Sequence, residues 1–181
     1  SLLKGTNDYE TALNLCRKWL KEKKFLVSFE LVQCKIDQTE AGLLFSQLAE
    51  SCLKAMFPFV LKNFEKRYGR KPGLGPSILS MGRLASKEMN IKSDLDLIVV
   101  YHSEKVEIEN SLSDNSDQIY YSRLTKALVS AVSVLTENGR LYSVDMPYPK
   151  MDNESFIGIV VPENIRDRWL LIKEPDRYGL E

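Results

Sequence analysis

Histidine is almost missing from this chain, at one in 181 residues, and cysteine is scarce, at three. The single histidine, His102, follows the end of an apolar run; this argues against a Ser–His triad and leaves a surface role as the default. Cys16, Cys34 and Cys52 have no zinc-ligand spacing and are odd in number, so they read as reduced, buried thiols. An excess of charge is also lacking: Lys plus Arg and Asp plus Glu are both 25. That balance removes the general electrostatic case for nucleic acid. The local basic clusters, Lys21 to Lys24 and Arg67 to Lys71, read as solvated helix ends. Neither a signal-peptide pattern nor a long apolar segment is legible, which argues against a membrane span and for a cytoplasmic protein. No internal repeat is visible. With 44% hydrophobic and 28% charged residues, the composition suits one sizeable globular unit, and the abrupt start at Ser1-Leu-Leu-Lys reads as a piece of a longer polypeptide.

Against these absences stands a concentration of carboxylates at the start of an apolar run. Residues 93 to 101 read Ser-Asp-Leu-Asp-Leu-Ile-Val-Val-Tyr, with Asp94 and Asp96 at i and i+2. In a strand, residues two apart point to the same side, so Leu95, Leu97 and Val99 face one way and both aspartates the other. Two adjacent carboxylates repel unless a cation lies between them, and hard oxygen ligands suit Mg²⁺. The bland alternative, a strand that opens in a turn with both aspartates solvated, is favoured on the pair alone. The context shifts that balance. Ile78 to Met81 is a short apolar segment running into Gly82-Arg83, which gives strand, glycine turn, excursion and a second strand opening with Asp-x-Asp. A glycine there lets the backbone approach a ligand and place N–H groups on phosphate oxygens. Downstream, Leu141, Ser143 and Asp145 alternate with Tyr142 and Val144, which places Asp145 on the polar face of a half-buried strand. As a lone residue Asp145 is an ordinary edge-strand aspartate; beside Asp94 and Asp96 it completes a site for metal-assisted nucleotidyl transfer.

The coarse organisation is helical at first. Residues near 8 to 23 form an amphipathic stripe of Leu13, Cys16, Trp19 and Leu20, and residues 25 to 34 are open between strand and helix. Asp37 or Thr39 caps a helix starting near Glu40 and running toward Tyr68, with Pro58 expected to kink it. Gly69 to Gly75 reads as a loop, and Glu107 to Asp117 as a polar, mobile stretch. Ile119 to Leu135 reads as a helix with Leu124, Leu128, Ala131 and Leu135 inward and Gly139 as its stop. Phe156 to Val161 reads as one more strand, and Pro162 opens a short helix holding Trp169 and Leu170.

Met81-Gly-Arg-Leu-Ala-Ser-Lys-Glu-Met-Asn-Ile-Lys-Ser-Asp-Leu-Asp-Leu resembles the nucleotidyltransferase motif of glutamine synthetase adenylyltransferase, roughly G-K-L-G-G-x-E-L-x-x-x-S-D-L-D-L. Tyr120-Tyr-Ser-Arg-Leu-Thr-Lys-Ala-Leu-Val-Ser-Ala-Val is similar to that family's helix Y-Y-x-R-L-x-x-x-L-I-x-A-L, and Thr136 to Met146 to its T-x-E-G-x-L-Y-x-V-D-M. Tyr9 to Asn14 and Arg17 to Phe25 resemble the helix leading into the family's second catalytic half, which also argues for helix over 25 to 34. Ala41 to Ala49 fits the pattern of its next helix. The likeness covers about Tyr9 to Met146.

The resemblance implies an α+β nucleotidyltransferase fold of the DNA polymerase beta-like kind. This is a small mixed sheet flanked by helices, with an N-terminal helical lobe at 1–70 and a sheet domain at 71–181 forming one catalytic unit. It implies ATP as substrate and Mg²⁺ or Mn²⁺ as cofactor, with Asp94, Asp96 and Asp145 as metal ligands and catalytic residues. Asp145 is then either a base for the attacking hydroxyl or only a ligand. Gly82 and Ser93 shape the turns beside the phosphates. Arg83 pairs with a terminal phosphate or forms a surface salt bridge, and Glu88 supports the loop. The implied reaction moves AMP from ATP to a tyrosine of glutamine synthetase, regulating nitrogen assimilation, with a PII-type signal protein as a further partner. Two alternatives stay open: the phosphorolytic, de-adenylylating half, and a catalytically impaired nucleotide-binding or interaction module. The second draws on departures from the family pattern. Its paired glycines are here Ala85 and Ser86, and Met146-Pro-Tyr-Pro-Lys150 replaces x-R-L-R-P-S-G, removing two arginines that no Pro or Tyr can substitute.

Overall fold

Asp8 caps the first helix, α1 (Tyr9–Val32), by accepting hydrogen bonds from the Thr11 N–H at 2.8 Å and the Thr11 hydroxyl at 2.6 Å. Asp37 caps α2 (Gln38–Tyr68) in the same way through the Glu40 N–H at 2.8 Å. Each cap satisfies a donor that a helix start leaves free. The computed structural model describes residues 6, 8–69, 76–101, 114–145 and 159–160. Helix α1 runs unbroken through the segment that the sequence left open between strand and helix, and ends at Val32. No glycine or proline interrupts Phe25 to Val32, so nothing stops the helix earlier.

The two helices pack as an antiparallel pair. Ala12, Leu13, Cys16, Leu20 and Val27 of α1 share one core with Ala41, Phe45, Ala49, Cys52, Met56 and Val60 of α2. Their recurrence every three or four residues keeps each set on one helix face. The sequence reading found no long apolar segment, yet α2 is long and apolar enough, by length and composition alone, to cross a membrane. Its buried stripe instead lies in the protein core, as expected of the central helix of a small domain. Pro58 lies within α2, which continues past it to Tyr68 and closes at Gly69, whose N–H reaches the Glu65 carbonyl at 2.9 Å.

A small mixed sheet follows. Strand β1 (Ser77–Ser80) pairs antiparallel with β2 (Leu95–Tyr101), and between them lies the single turn of α3 (Gly82–Ala85). Strand β3 (Val144–Asp145) runs parallel to the start of β2, and β4 (Ile159–Val160) runs parallel to its end. Helix α4 (Asp114–Ser133) connects β2 to β3. Leu95, Leu97 and Val99 turn one face of β2 into the core shared with α1 and α2. At the far end of β2, Tyr101 stacks on Tyr121 at 4.2 Å between ring centroids, within an aromatic cluster that includes Phe64, Tyr120 and Leu124. That cluster ties α4 to the end of α2.

Helix α4 begins at Asp114, inside the stretch read as polar and mobile, and it ends at Ser133. Leu135 is therefore not a core residue but 67% exposed, and Gly139 is not the helix stop. With φ of +86°, Gly139 instead closes a tight turn with Thr136, donating to the Thr136 carbonyl at 2.8 Å. Strand β3 is shorter than the alternation from Leu141 suggested, because Leu141 and Tyr142 are both buried. Cys16 and Cys52 are buried as expected, but Cys34 is exposed in the turn after α1. Lys24, read as part of a solvated helix end, lies inside α1 with its ammonium 3.8 Å above the Tyr142 ring. The expected roles of His102, Gly73, Gly75, Trp169 and Leu170 fall outside the described residues.

Leu95, the first residue of β2 and the neighbour of both Asp94 and Asp96, is fully buried. Leu95→Ala is expected to lower the unfolding free energy by about 3 kcal/mol, from lost apolar transfer plus the cavity left behind. Urea denaturation followed by circular dichroism measures it; a loss below about 1 kcal/mol would show that the sheet collapses to fill the space.

Candidate active site

Asp96 and Asp145 come from two strands held in register by backbone bonds, and Asp94 immediately precedes the first of them. Leu95 donates its N–H to the Ser143 carbonyl at 2.9 Å, and the parallel pairing then sets Asp96 beside Asp145. Asp96 and Asp145, in register on neighbouring strands, share a face, and Asp94, the residue just before β2, is near enough for its charge to act on Asp96. Asp94 and Asp145 are exposed, while Asp96 is half-buried. Past Asp96 that face closes: Ile98, the next residue on it, is buried. The carboxylates therefore occupy only the open beginning of β2.

Strand β3 owes its position to the end of α4. The Val132 carbonyl, in the last helical turn, accepts from the N–H groups of both Leu141 and Tyr142 at 3.2 Å. Orphan carbonyls at a helix C-terminus need such partners. Here the partners are the residues that lead into Asp145.

Gly82 lies against the middle carboxylate. Its φ is +53°, and a Cβ at this position would overlap Oδ2 of Asp96 and come within 3.1 Å of its Cγ. One residue earlier, the Met81 N–H donates to the Asp96 carbonyl at 2.8 Å, which fixes the turn on β2. Only glycine combines this conformation with this approach. Arg83, next in α3, is exposed, and its charge acts through space on Asp96. Ser93 is buried and turned into its own loop: its hydroxyl accepts from the Asn90 N–H at 2.9 Å. Glu88 likewise serves the loop, donating its N–H to the Arg83 carbonyl at 2.9 Å and accepting from the Ser86 hydroxyl at 3.2 Å.

Ala85 and Ser86, where the resembling family has glycines, are accommodated locally. Ala85 lies in α3 and Ser86 has φ of −76°, so neither needs the left-handed backbone that glycine supplies. That conformation falls on Lys87, with φ of +61°, whose ammonium pairs with Glu50 of α2. Gly42 of α2 was not singled out from the sequence, yet it seats this loop: a Cβ there would stand 3.2 Å from the Lys87 carbonyl oxygen. The only available signal was a glycine inside an otherwise strong helical pattern. A groove of about 1080 Å³ opens between the start of α2 and the loop, with Arg83 and Ser86 on its wall; none of the three aspartates lines it.

The electrostatics follow from this crowding. Burial, then the negative charges of Asp94 and Asp145, hold the Asp96 carboxyl above its ordinary 3.8, against the opposing pull of Arg83. Among the described residues, no group of three or more His, Cys, Asp or Glu side chains is closed tightly enough to enclose an ion. The aspartates lie together without forming a finished cage. A raised pKa means that the folded state holds this proton more tightly than the unfolded chain does. Its contribution to stability is full below the ordinary carboxylate value and is lost as pH rises through the folded value. At pH 7 the ionised Asp96 therefore opposes folding. Asp96→Asn is expected to raise the Tm at pH 7 and to lose that advantage in acid, where Asp96 is itself neutral. Thermal melts at the two pH values check this, and an equal difference at both would remove the charge explanation.

The profile of the family described as glutamate-ammonia ligase adenylyltransferase matches residues 1–150. The chain belongs to this family. A bifunctional glutamine synthetase adenylyltransferase/adenylyl-removing enzyme of Mesorhizobium japonicum is 37% identical over 147 residues, covering 81% of this chain and 15% of the relative. The enzyme of the same description from Bartonella henselae is 34% identical over 158 residues, covering 87% of this chain and 16% of its own. That of Caulobacter vibrioides is 32% identical over 139 residues, 77% of this chain and 14% of the relative. The chain thus spans about 15% of the length of the relatives it matches. In this member of the family, Asp96 on β2, the Gly82 turn against it and Asp145 on the adjoining strand lie together, with Asp94 immediately before β2.

Proposed function

We propose that this chain carries the nucleotidyl-transfer site of a glutamine synthetase adenylyltransferase, built on a polymerase beta-like fold, and moves AMP from ATP to a tyrosine hydroxyl of glutamine synthetase. The observation that carries the reading is the register of Asp96 beside Asp145, with Gly82 pressed on the Asp96 carboxylate. Asp94, Asp96 and Asp145 would hold Mg²⁺ or Mn²⁺. The donor set fits a hard cation, being all carboxylate oxygen, with burial and then mutual repulsion already raising Asp96. When bound, the ion supplies Lewis-acid stabilisation of charge on the phosphoryl oxygens.

The chain's own residues do the rest. Gly82 lets backbone rather than side chain meet the nucleotide beside Asp96. Arg83, whose positive charge acts on this carboxylate, is placed to steady phosphate charge. Asp145 is exposed at the open end of β2, where its carboxylate can accept the proton of an incoming hydroxyl. The same proposal takes residues 1–70 as a helical lobe on a sheet domain of 71–181, a cytoplasmic location, and a PII-type signal protein as a further partner.

Removal of AMP by phosphorolysis is the second reading, because the relatives carry both activities in their names. The test incubates the chain with labelled ATP, Mg²⁺ and glutamine synthetase, and in parallel with adenylylated glutamine synthetase and phosphate. Label appearing on the acceptor tyrosine supports transfer, whereas loss of AMP only in the second reaction supports removal. A folded chain that binds ATP and does neither would be an impaired module, as the missing arginines after Asp145 suggest.

A further inference from the structure

The seam between α1 and α2 buries a group of reactive side chains that the transfer reaction does not use. Cys16 and Cys52 meet there with their sulfurs 3.6 Å apart, both almost fully inaccessible. Cys16 lies about as far back along α1 from the connecting turn as Cys52 lies forward along α2, so the helical hairpin itself holds them opposite each other. Lys24 of α1, with its ammonium over the Tyr142 ring, acts electrostatically on Cys52. The Tyr142 hydroxyl is buried without a hydrogen-bond partner, within electrostatic reach of both thiols.

We propose that Cys16 and Cys52 are an oxidisable pair, joined by a peroxide into a disulfide that staples α1 to α2 beneath the segment leading to Asp145. The sulfurs must approach by roughly 1.5 Å to reach bonding distance, a side-chain adjustment rather than a refolding of the hairpin. One thiol, as its thiolate, attacks a peroxide oxygen and breaks the O–O bond, giving a sulfenic acid; the thiol proton leaves with the departing oxygen as water. The second thiol then displaces hydroxide from that sulfur, forming the S–S bond, and its proton completes a second water. The two sulfurs together lose two electrons, and hydrogen peroxide is reduced to two waters.

Both sulfurs are buried, so the first step needs a local opening of the α1–α2 seam to admit the peroxide, and the surroundings mark Cys16 as the attacking thiol. Hydrogen bonding from Cys52 holds the Cys16 thiol below its ordinary range, aided by the positive charge of Arg17 and opposed by burial. Burial lowers the Lys24 ammonium to about 8, and its positive charge, where present, acts on Cys52. The consequence reaches the site along the chain. Tyr142 packs on Lys24, and its neighbour Ser143 accepts from Leu95 in the pairing that sets Asp145 beside Asp96.

The test treats the folded chain carrying Cys34→Ser with hydrogen peroxide, then unfolds it, blocks free thiols with iodoacetamide and weighs it. The expected product is monomeric, lighter by two hydrogens, unalkylated at Cys16 and Cys52, and restored by dithiothreitol. Its Tm should rise by about 5–10 °C. Cys16→Ala and Cys52→Ala, made separately in the same background, should each abolish the product. Two alkylatable thiols after peroxide treatment, or sulfinic acid in place of the link, would overturn the proposal. A link formed without a rise in Tm would overturn the staple.

Discussion

Gly82→Ala is expected to cut AMP transfer by on the order of a hundredfold while leaving a folded chain. The substitution adds one carbon where the Asp96 carboxylate already lies, on a backbone of φ +53° that a side chain strains. Either the turn or the carboxylate must move. Moving the turn breaks the Met81 N–H bond to the Asp96 carbonyl; moving the carboxylate separates it from Asp145. Displacing a reacting group by about 1 Å is enough for a loss of this size. Initial rates at saturating ATP and acceptor measure it, with circular dichroism as the check on folding. A folded variant with the parent rate would show that Gly82 is a turn residue and nothing more.

Asp96→Asn should cost as much or more, and should separate metal from nucleotide. The triphosphate supplies oxygens that a divalent ion otherwise lacks, so the parent chain should bind ATP weakly without Mg²⁺ and more tightly with it. The variant keeps nearly the shape of Asp96 but removes its charge. Calorimetric titration should therefore show most of the Mg²⁺-dependent gain abolished, and transfer should fall by roughly a hundredfold or more. The same variant is expected to be more stable at pH 7, since Asp96 carries a charge disfavoured by burial and then by the neighbouring carboxylates. Lower activity with higher stability would identify Asp96 as a site residue; lower activity with lower stability would point to a simple folding defect. Equal ATP affinity with and without Mg²⁺ in the parent chain would defeat the metal assignment.

Local signals made much of this legible. The alternation put Asp96 on the face of β2 opposite Leu95, Leu97 and Val99, because a strand repeats every two residues whatever surrounds it, while Asp94 falls one residue before the strand. The Asp37 cap and the apolar stripes marked α2 in the same way, since capping and amphipathicity act within a few turns. Errors gathered where tertiary contacts override local pattern. Leu135 continues the helical stripe in sequence, yet α4 stops before it because the Val132 carbonyl bonds to Leu141 and Tyr142 instead of continuing the helix. Lys24 reads as a solvated cation until Tyr142, far away in sequence, comes to lie beneath it.

By itself the sequence determined most of the kinds of element, residues 25 to 34 excepted, the faces of β2 and the carboxylates available for chemistry, because each rests on spacing within one segment. Only the tertiary structure decided that Asp145 stands beside Asp96 and that Gly82 touches the same carboxylate. It also decided that Gly42 seats the loop carrying Lys87, and that two thiols from different helices meet. Those are pairings between distant segments, set by which backbone groups find partners and which side chains fill the core, and no periodicity within one segment encodes them.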